Sequence, residues 1–320
     1  MIVTVTLNPA VDRTLVIRDF RVGGINRASV ERVEIGGKGI NVARNLARLG
    51  CDVLATGLLG VGDPHGIIAT LAAQGVRPDF VRVTGEVRVN LKILDPATGA
   101  ETEINEPGHP VSMEAVHALT ERLESLASRC SVMVFSGSLP PGAPEDLYAR
   151  YIELAARAGV KTVLDTAGIA LRHGIAAAPD LVKPSRAETE DLLRTRIGSE
   201  TDLVAAARQL LDCGARAAVI SLGAEGALAA WNSGMWRAHP PAVVARNTVG
   251  AGDAMVASLA YALARALPPD EALRLATAHG SAAAATAAPV AALTQVEALL
   301  PRVLIESVLP ASSSVRTLAP

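Results

Sequence analysis

The sequence predicts an α/β fold: a mainly parallel central sheet flanked by helices, with a small antiparallel sheet projecting from it. Short runs rich in Val and Ile alternate with longer stretches of helical period, the order expected when each strand returns to a parallel sheet through a helix. Half of the 320 residues are hydrophobic but only 2% are aromatic, and abundant alanine with 27 glycines suits small-residue helices laid on a sheet. Two segments, about 11–35 and 80–106, instead alternate with period two and carry turn residues, which marks β structure outside the main alternation.

In chain order, Ile2–Leu7 is the first strand. Thr14–Ile17 and Arg32–Ile35 alternate on either side of the turn residues Gly23-Gly24, and Gly39–Leu49 is the first helix. Strand Val53–Gly57 and helix Ile67–Gln74 follow, then the alternating run Val87–Leu94 with the turn residues Asp95-Pro96 and Thr98-Gly99. Helix Met113–Ala127, strand Val132–Ser136, helix Glu145–Ala158 and strands Thr162–Asp165 and Leu181–Lys183 come next. Helices Ala187–Leu193 and Leu203–Asp212 lead to strands Ala217–Leu222 and Ala227–Trp231, and Ala254–Ala264 is again helical. Gly50, Gly75, Gly159 and Gly214 stand where helix C-caps call for a left-handed residue. One domain is expected over 1–305, with a Ser-rich, Pro-ended disordered tail over 306–320.

A formal net charge of −2 gives no general attraction for nucleic acid or membranes, so anion binding must come from a local cluster of cations. Cys51, Cys130 and Cys213 are odd in number and in no CxxC spacing, which reads as free thiols in a reducing compartment. The N-terminus enters a strand pattern at once, without the basic region of a signal peptide, and the alanine-rich stretch 281–292 is too weakly hydrophobic to span a bilayer. A cytoplasmic protein is the expectation. The cysteines and six histidines form no metal-ligand spacing.

The sharpest motif is Asn247-Thr-Val-Gly-Ala-Gly-Asp253, which opens an apolar helical run. Gly250, Ala251 and Gly252 can turn their N–H groups inward where a helix begins, and those unused donors with the helix dipole form an anion site. Asp253, in the first turn, is placed to take the proton of an attacking hydroxyl. A capped helix with a tight glycine turn explains the same spacing equally well. Ile35-Gly-Gly-Lys-Gly-Ile-Asn41 is a second glycine-rich entry into a helix, and fits neither a Walker A loop nor a dinucleotide fingerprint. It suits either close approach of a ligand or a plain strand-to-helix turn. Gly60-Val-Gly-Asp63 repeats Gly-x-Gly-Asp, but with Pro64 behind it reads as structural. Phe135–Gly142 and Ser221–Gly226 each follow a strand, at the edge where open α/β sheets bind ligands.

Taken in this order, the segments resemble the PfkB/ribokinase family of carbohydrate kinases, over about Ile2 to Leu300. Thr6–Asp12, Gly36–Ala43, Thr102–Gly108, Ser136–Gly142, Leu181–Pro184 and Val219–Leu228 carry further likeness to its branch acting on sugar phosphates. The resemblance implies a ribokinase-like fold whose projecting sheet is a lid. It implies phosphoryl transfer from ATP, with Mg²⁺, to the C6 hydroxyl of fructose 1-phosphate; tagatose-6-phosphate and fructose-6-phosphate are alternative acceptors. Asp253 would be the base and Gly250–Gly252 the anion hole. Asp12, Asn41, Gly36 and Gly37 would hold the sugar, with Asn90 nearby, and Arg27, Lys38, Arg88 and Ser138 its phosphate. Lys183, Ser185, Ser221, Gly223, Ala224, Gly226 and Gly252 would meet the nucleotide, and Glu188 would reach Mg²⁺ through water. One departure is Ser185, which stands where the family pattern Asn-x-x-Glu has Asn; its hydroxyl can still bond a metal-bound water. The resemblance also implies a homodimer joined through the lid. A non-catalytic sugar-phosphate sensor on the same fold would show an eroded base or anion hole, and a dehydrogenase would need Gly-x-Gly-x-x-Gly after the first strand. This sequence has neither feature.

Overall fold

The β-branched runs become strands because their side chains stack on a pleated surface, and the alanine-rich stretches become helices because they lose little side-chain freedom there. The computed structural model describes residues 1–28, 30–63, 65–246, 249–286 and 290–308. The strands are β1 (Ile2–Thr6), β2 (Ala10–Val16), β3 (Val30–Gly36), β4 (Val53–Gly60), β5 (Arg77–Pro78), β6 (Val81–Val83), β7 (Arg88–Asp95) and β8 (Ala100–Asn105), followed by β9 (Val132–Ser136), β10 (Lys161–Asp165), β11 (Leu181–Val182), β12 (Ala217–Ser221), β13 (Ala227–Trp231), β14 (Gly234–His239) and β15 (Leu304–Val308). The helices are α1 (Lys38–Arg48), α2 (Ile67–Ala73), α3 (Met113–Ala127), α4 (Leu147–Arg157), α5 (Gly168–Ala176), α6 (Arg186–Leu193), α7 (Glu200–Asp212), α8 (Ala251–Arg265), α9 (Pro269–Ala284) and α10 (Leu293–Leu299).

Among the described residues the main sheet has 11 strands, in the order β15-β14-β13-β12-β11-β10-β9-β1-β4-β5, with β6 pairing β4. Pairing is parallel from β12 through β11, β10, β9 and β1 to β4, and antiparallel from β12 out to β15. Each face of the sheet carries its own apolar core. One includes Ile40 and Leu46 of α1, Val256 and Leu259 of α8 and Leu273 of α9; the other includes Leu119 and Leu123 of α3, Tyr148 and Tyr151 of α4 and Leu210 of α7. No helix of the described residues is long and apolar enough to cross a membrane.

The projecting sheet has four strands in the order β3-β2-β7-β8. Its two hairpins, β2/β3 and β7/β8, are antiparallel, and they meet through a parallel pair, β2 with β7. The second hairpin begins at Arg88 rather than near residue 80, because 81–83 pairs in parallel with β4 of the main body. Strand β15 reaches past residue 306, where the tail was expected to start; residues 309–320 lie outside the described residues. Helices α5, α9 and α10 and strands β14 and β15 were not anticipated. Asp63, as expected for a structural turn, accepts hydrogen bonds from the Ile67 and Ile68 amides at the start of α2, at 2.8 and 3.1 Å; Pro64 is outside the described residues.

Candidate active site

The parallel strands all end at one edge of the sheet. Asn8 follows β1, Gly137 and Ser138 follow β9, Thr166 follows β10, Lys183 follows β11, and Ser221 closes β12. With the N-terminal turns of α1 and α8 below and the four-stranded sheet above, these residues line a cleft of about 1120 Å³. It lies where ligands enter open α/β sheets, beyond the carboxyl ends of the strands.

Two glycine-rich turns form its floor. Gly250 takes φ 84° as the N-cap of α8, a left-handed conformation that costs glycine little. The amides of Ala251, Gly252 and Asp253 then belong to the first helical turn, which the helix's own hydrogen-bond ladder does not use. A Cβ on Gly252 would lie 3.7 Å from Lys183 Nζ, so a side chain there would fill the space between the turn and that ammonium. Asn247 and Thr248 of the same motif are outside the described residues. At the other turn, Gly37 caps α1 with φ 110°, and the space a Cβ on Gly36 would need is taken by the Asp12 carboxylate.

The two turns meet through a side-chain hydrogen bond: Asn41 Nδ2 donates to Asp253 Oδ2 at 2.9 Å. Asp253 is buried, and burial pushes its carboxyl up to about 6; Asp165 adds to the rise while Lys38, Lys183 and the Asn41 bond oppose it. Beside it, Lys38 Nζ lies 3.4 Å from Asp165 Oδ2 and 3.9 Å from Glu188 Oε1. Lys183 Nζ lies 3.2 Å from Asp165 Oδ1, and the Ser136 hydroxyl donates to Asp165 Oδ2 at 2.9 Å. Burial alone would raise Asp165; the two ammoniums and that hydroxyl hold it below the usual carboxylate range. Asp165 in turn is the main reason the Lys38 ammonium is held above its ordinary value. A buried anion thus fixes two cations beside the α8 amides, a concentration of positive charge and unused N–H donors that can stabilise an anion.

Under the projecting sheet, Asn90 Nδ2 donates to Asp12 Oδ1 at 2.9 Å, and Asp12 is raised by burial against the opposing effects of Asn90 and Arg88. Arg88 donates to the Glu106 and Asn8 carbonyls at 2.8 and 3.2 Å, while its Nε is buried with no partner among the described residues. Asn8 Nδ2 donates to Ser138 Oγ at 3.2 Å, joining the two segments. Cleft-facing residues lie in rows across the strands, Glu34–Asp12–Asn90–Asn105 and Arg32–Thr14–Lys92–Glu103.

Asp12, Lys38, Asn41, Arg88, Asn90, Ser138, Lys183, Ser185, Glu188, Ser221, Gly250, Gly252 and Asp253 therefore share one cleft. Lys38 groups with Asp165, Glu188 and Asp253 rather than with Arg88. Arg27 is exposed on the loop between β2 and β3 and does not line the cleft. Gly223 and Ala224 lie on an exposed 3₁₀ turn beyond its rim, and Gly226 is held at φ 95° against the Ala238 carbonyl of β14. Ser185 and Glu188 form a capping box at α6: Ser185 N donates to Glu188 Oε2 at 2.7 Å and Glu188 N to Ser185 Oγ at 3.2 Å. Asp165, Thr166 and Asn8 went unassigned in the sequence reading. A carboxylate closing a strand at the ligand edge was the available signal for Asp165.

A model described as pfkB family carbohydrate kinase matches residues 5–294. The chain belongs to that family. The pfkB kinases it resembles include the 1-phosphofructokinase of Xanthomonas campestris, 41% identical over 281 residues, which is 86% of this chain and 88% of that protein. The 1-phosphofructokinase of Bacillus subtilis is 37% identical over 284 residues, covering 89% and 92% respectively. Among solved structures, Escherichia coli phosphofructokinase-2 in complex with fructose-6-phosphate superposes with a TM-score of 0.87 at 29% identity, over 94% of this chain and 98% of that one. The pfkB membership accounts for the architecture, a mostly parallel sheet between helices with a separate small sheet over one edge.

Proposed function

We propose that this pfkB kinase transfers the γ-phosphoryl group of ATP to the C6 hydroxyl of fructose 1-phosphate, giving fructose 1,6-bisphosphate. The observation that carries the reading is the meeting of Asp253 with Asn41 at the α8 N-terminus, flanked by Lys38 and Lys183 and roofed by a sheet bearing Asp12, Arg88 and Asn90. Two relatives named 1-phosphofructokinase favour this acceptor.

In this reading the sugar lies under the lid, its hydroxyls on Asp12, Asn90 and Asn41. Its existing phosphate takes the free Arg88 Nε and the Ser138 hydroxyl, and its free hydroxyl points to Asp253. Asp253 accepts that proton as the oxygen attacks the γ-phosphorus, and the bond from that phosphorus to the β,γ-bridging oxygen breaks with ADP as the leaving group. The amides of Ala251 and Gly252 stabilise charge on the equatorial oxygens, and Lys38 and Lys183 neutralise the anion that builds up. The lid excludes water, which keeps ATP from being hydrolysed in place of the sugar reaction.

Mg²⁺ would be carried largely by the nucleotide phosphates and water, since that ion ordinarily needs only one or two protein carboxylates. The residues fit such an ion: one oxygen of Glu188 is committed to the Ser185 amide, and the other faces Lys38 across 3.9 Å. When bound, the metal would neutralise charge on the β- and γ-phosphates.

The lid also carries an alternate row, Val33–Arg13–Leu91–Ile104, in which Val33 and Ile104 are exposed. Two such surfaces facing each other would join subunits as a homodimer, and a cytoplasmic location fits the three free thiols.

Fructose 1-phosphate, fructose 6-phosphate and tagatose 6-phosphate, assayed side by side with Mg-ATP, test the acceptor. We expect kcat/KM to be highest for fructose 1-phosphate. A preference for either 6-phosphate would overturn that choice, and the E. coli relative crystallised with fructose-6-phosphate makes it the pertinent rival.

A further inference from the structure

We infer that Arg44 is a positioning residue for the base, holding the Asn41 side-chain amide in the one orientation that donates to Asp253. The inference rests on the reading of Asp253 as the base. Arg44 stands on α1 three residues after Asn41, half-buried. Its Nε donates to Gln74 Oε1, at the end of α2, at 2.7 Å, a strong anchor for the guanidinium plane. From that anchor Nη1 faces the Asn41 Oδ1 at 3.4 Å and the Ile35 carbonyl, at the root of the lid strand β3, at 3.5 Å.

The direction of the relay follows from donor chemistry. A primary amide has an accepting oxygen and a donating nitrogen, while a guanidinium only donates. With Arg44 in place, the Asn41 oxygen must face Arg44 and its NH₂ must face the carboxylate, as observed at 2.9 Å. Without Arg44 the amide can turn over and present oxygen to Asp253. That arrangement suits a protonated carboxyl and penalises the ionised base. The main-chain carbonyl of Asn41 is separately held by Asn45 Nδ2 at 2.9 Å, so the backbone of α1 does not depend on Arg44. The other groups acting on Asp253 are Lys38, Lys183 and Asp165, and those acting on Arg44 are Glu34 and Arg48. All of them remain when Arg44 is replaced.

Arg44→Met and Gln74→Ala, each made in the wild-type and in an Asn41→Ala background, test the inference. The readouts are the acid limb of kcat/KM against pH and, independent of turnover, the titration of the Asp253 carboxyl by ¹³C NMR. Arg44→Met is expected to move that titration upward by about 1–2 pH units, the scale of one lost hydrogen bond to an ionised group. Gln74→Ala, which frees the guanidinium while keeping its charge, should give a smaller shift of the same sign. Neither should shift the titration once Asn41 is alanine. Folded variants that titrate like the wild type overturn the inference, as does an equal shift in the Asn41→Ala background, which would mark a distant charge effect. Asp253→Asn separates the two levels. If it keeps turnover, the base reading falls and this inference with it; if it is inactive and the Arg44 variant unshifted, only the relay falls.

Discussion

Asp253 is held where its chemistry and the stability of the fold pull in opposite directions. Burial disfavours the ionised carboxyl and carries it up to about 6, above its value in the unfolded chain. The folded state therefore binds this proton more tightly. The stability it contributes is present in full below the unfolded carboxyl's pKa and is lost as pH rises through about 6. Asp253→Asn is expected to lower kcat by about 10²–10⁴-fold, yet to raise the unfolding free energy at pH 8 by about 1–3 kcal/mol. The gain should shrink at pH 5, where the wild-type carboxyl is itself neutral. Urea unfolding at both pH values checks this, and a destabilised variant at pH 8 would contradict it. Wild-type activity should fall as pH drops through about 6, from the same titration. The glycines and the aspartate of this site were legible because backbone turns at a helix start leave a fixed spacing. Asp165 was not: its role arises from Lys38 and Lys183 converging on it from separate segments, and no local pattern records that.

Helix α8 presents the glycine-rich turn proposed to bind the phosphoryl group, and α9 packs against it. The two helices pack tightly at Gly280, where an added Cβ would lie 2.8 Å from Met255 Cγ and 3.3 Å from the Ala251 carbonyl. The Ser258 hydroxyl and His279 Nδ1, both buried, lie 2.8 Å apart between the same helices. Burial pushes His279 down to about 4, so the imidazole is neutral at physiological pH. Gly280→Ala should cost about 1–3 kcal/mol by overpacking and should lower kcat, since the displaced Ala251 opens the phosphoryl-binding turn. Thermal unfolding and steady-state kinetics measure the two effects, and a destabilised variant with unchanged kcat would uncouple α9 from the site. This element escaped the sequence reading for a physical reason. Pro269–Ala284 is buried along Ala276–Ala283 on nearly every side, so it lacks the one-sided apolar stripe that marks a surface helix. Strands β14 and β15 were missed because Arg237 interrupts the first and Glu306 and Ser307 the second, so neither shows the sustained apolar run that located β13 and the others.

On the scale of the whole molecule, the cleft is a seam between two bodies of β structure. The main sheet supplies Ser138, Lys183 and Ser221 from its carboxyl edge, and the small sheet supplies Asp12, Arg88 and Asn90 from above. The period-two segments revealed the second body, but not its parallel join, because register between distant strands is set by contacts across the fold. The proposed dimer places the outer face of the lid at the subunit interface. Val33→Asp with Ile104→Glu is then expected to convert a dimer to a monomer in light scattering and to raise KM for the sugar phosphate through a looser lid. A wild-type monomer, or a double variant that stays dimeric, would refute that assembly.

The parallel join of β2 and β7 also bears on how the chain acquires its structure during synthesis. Ala10 pairs with Arg88 and Val16 with Leu94, so these partners are separated by about eighty residues. A two-stranded hairpin is marginal alone in water. The edge of the first hairpin that β7 covers is therefore expected to stay open until β7 has left the ribosome. Closing so long a loop is slow, and chains arrested before residue 88 should expose a strand edge that a chaperone could cover.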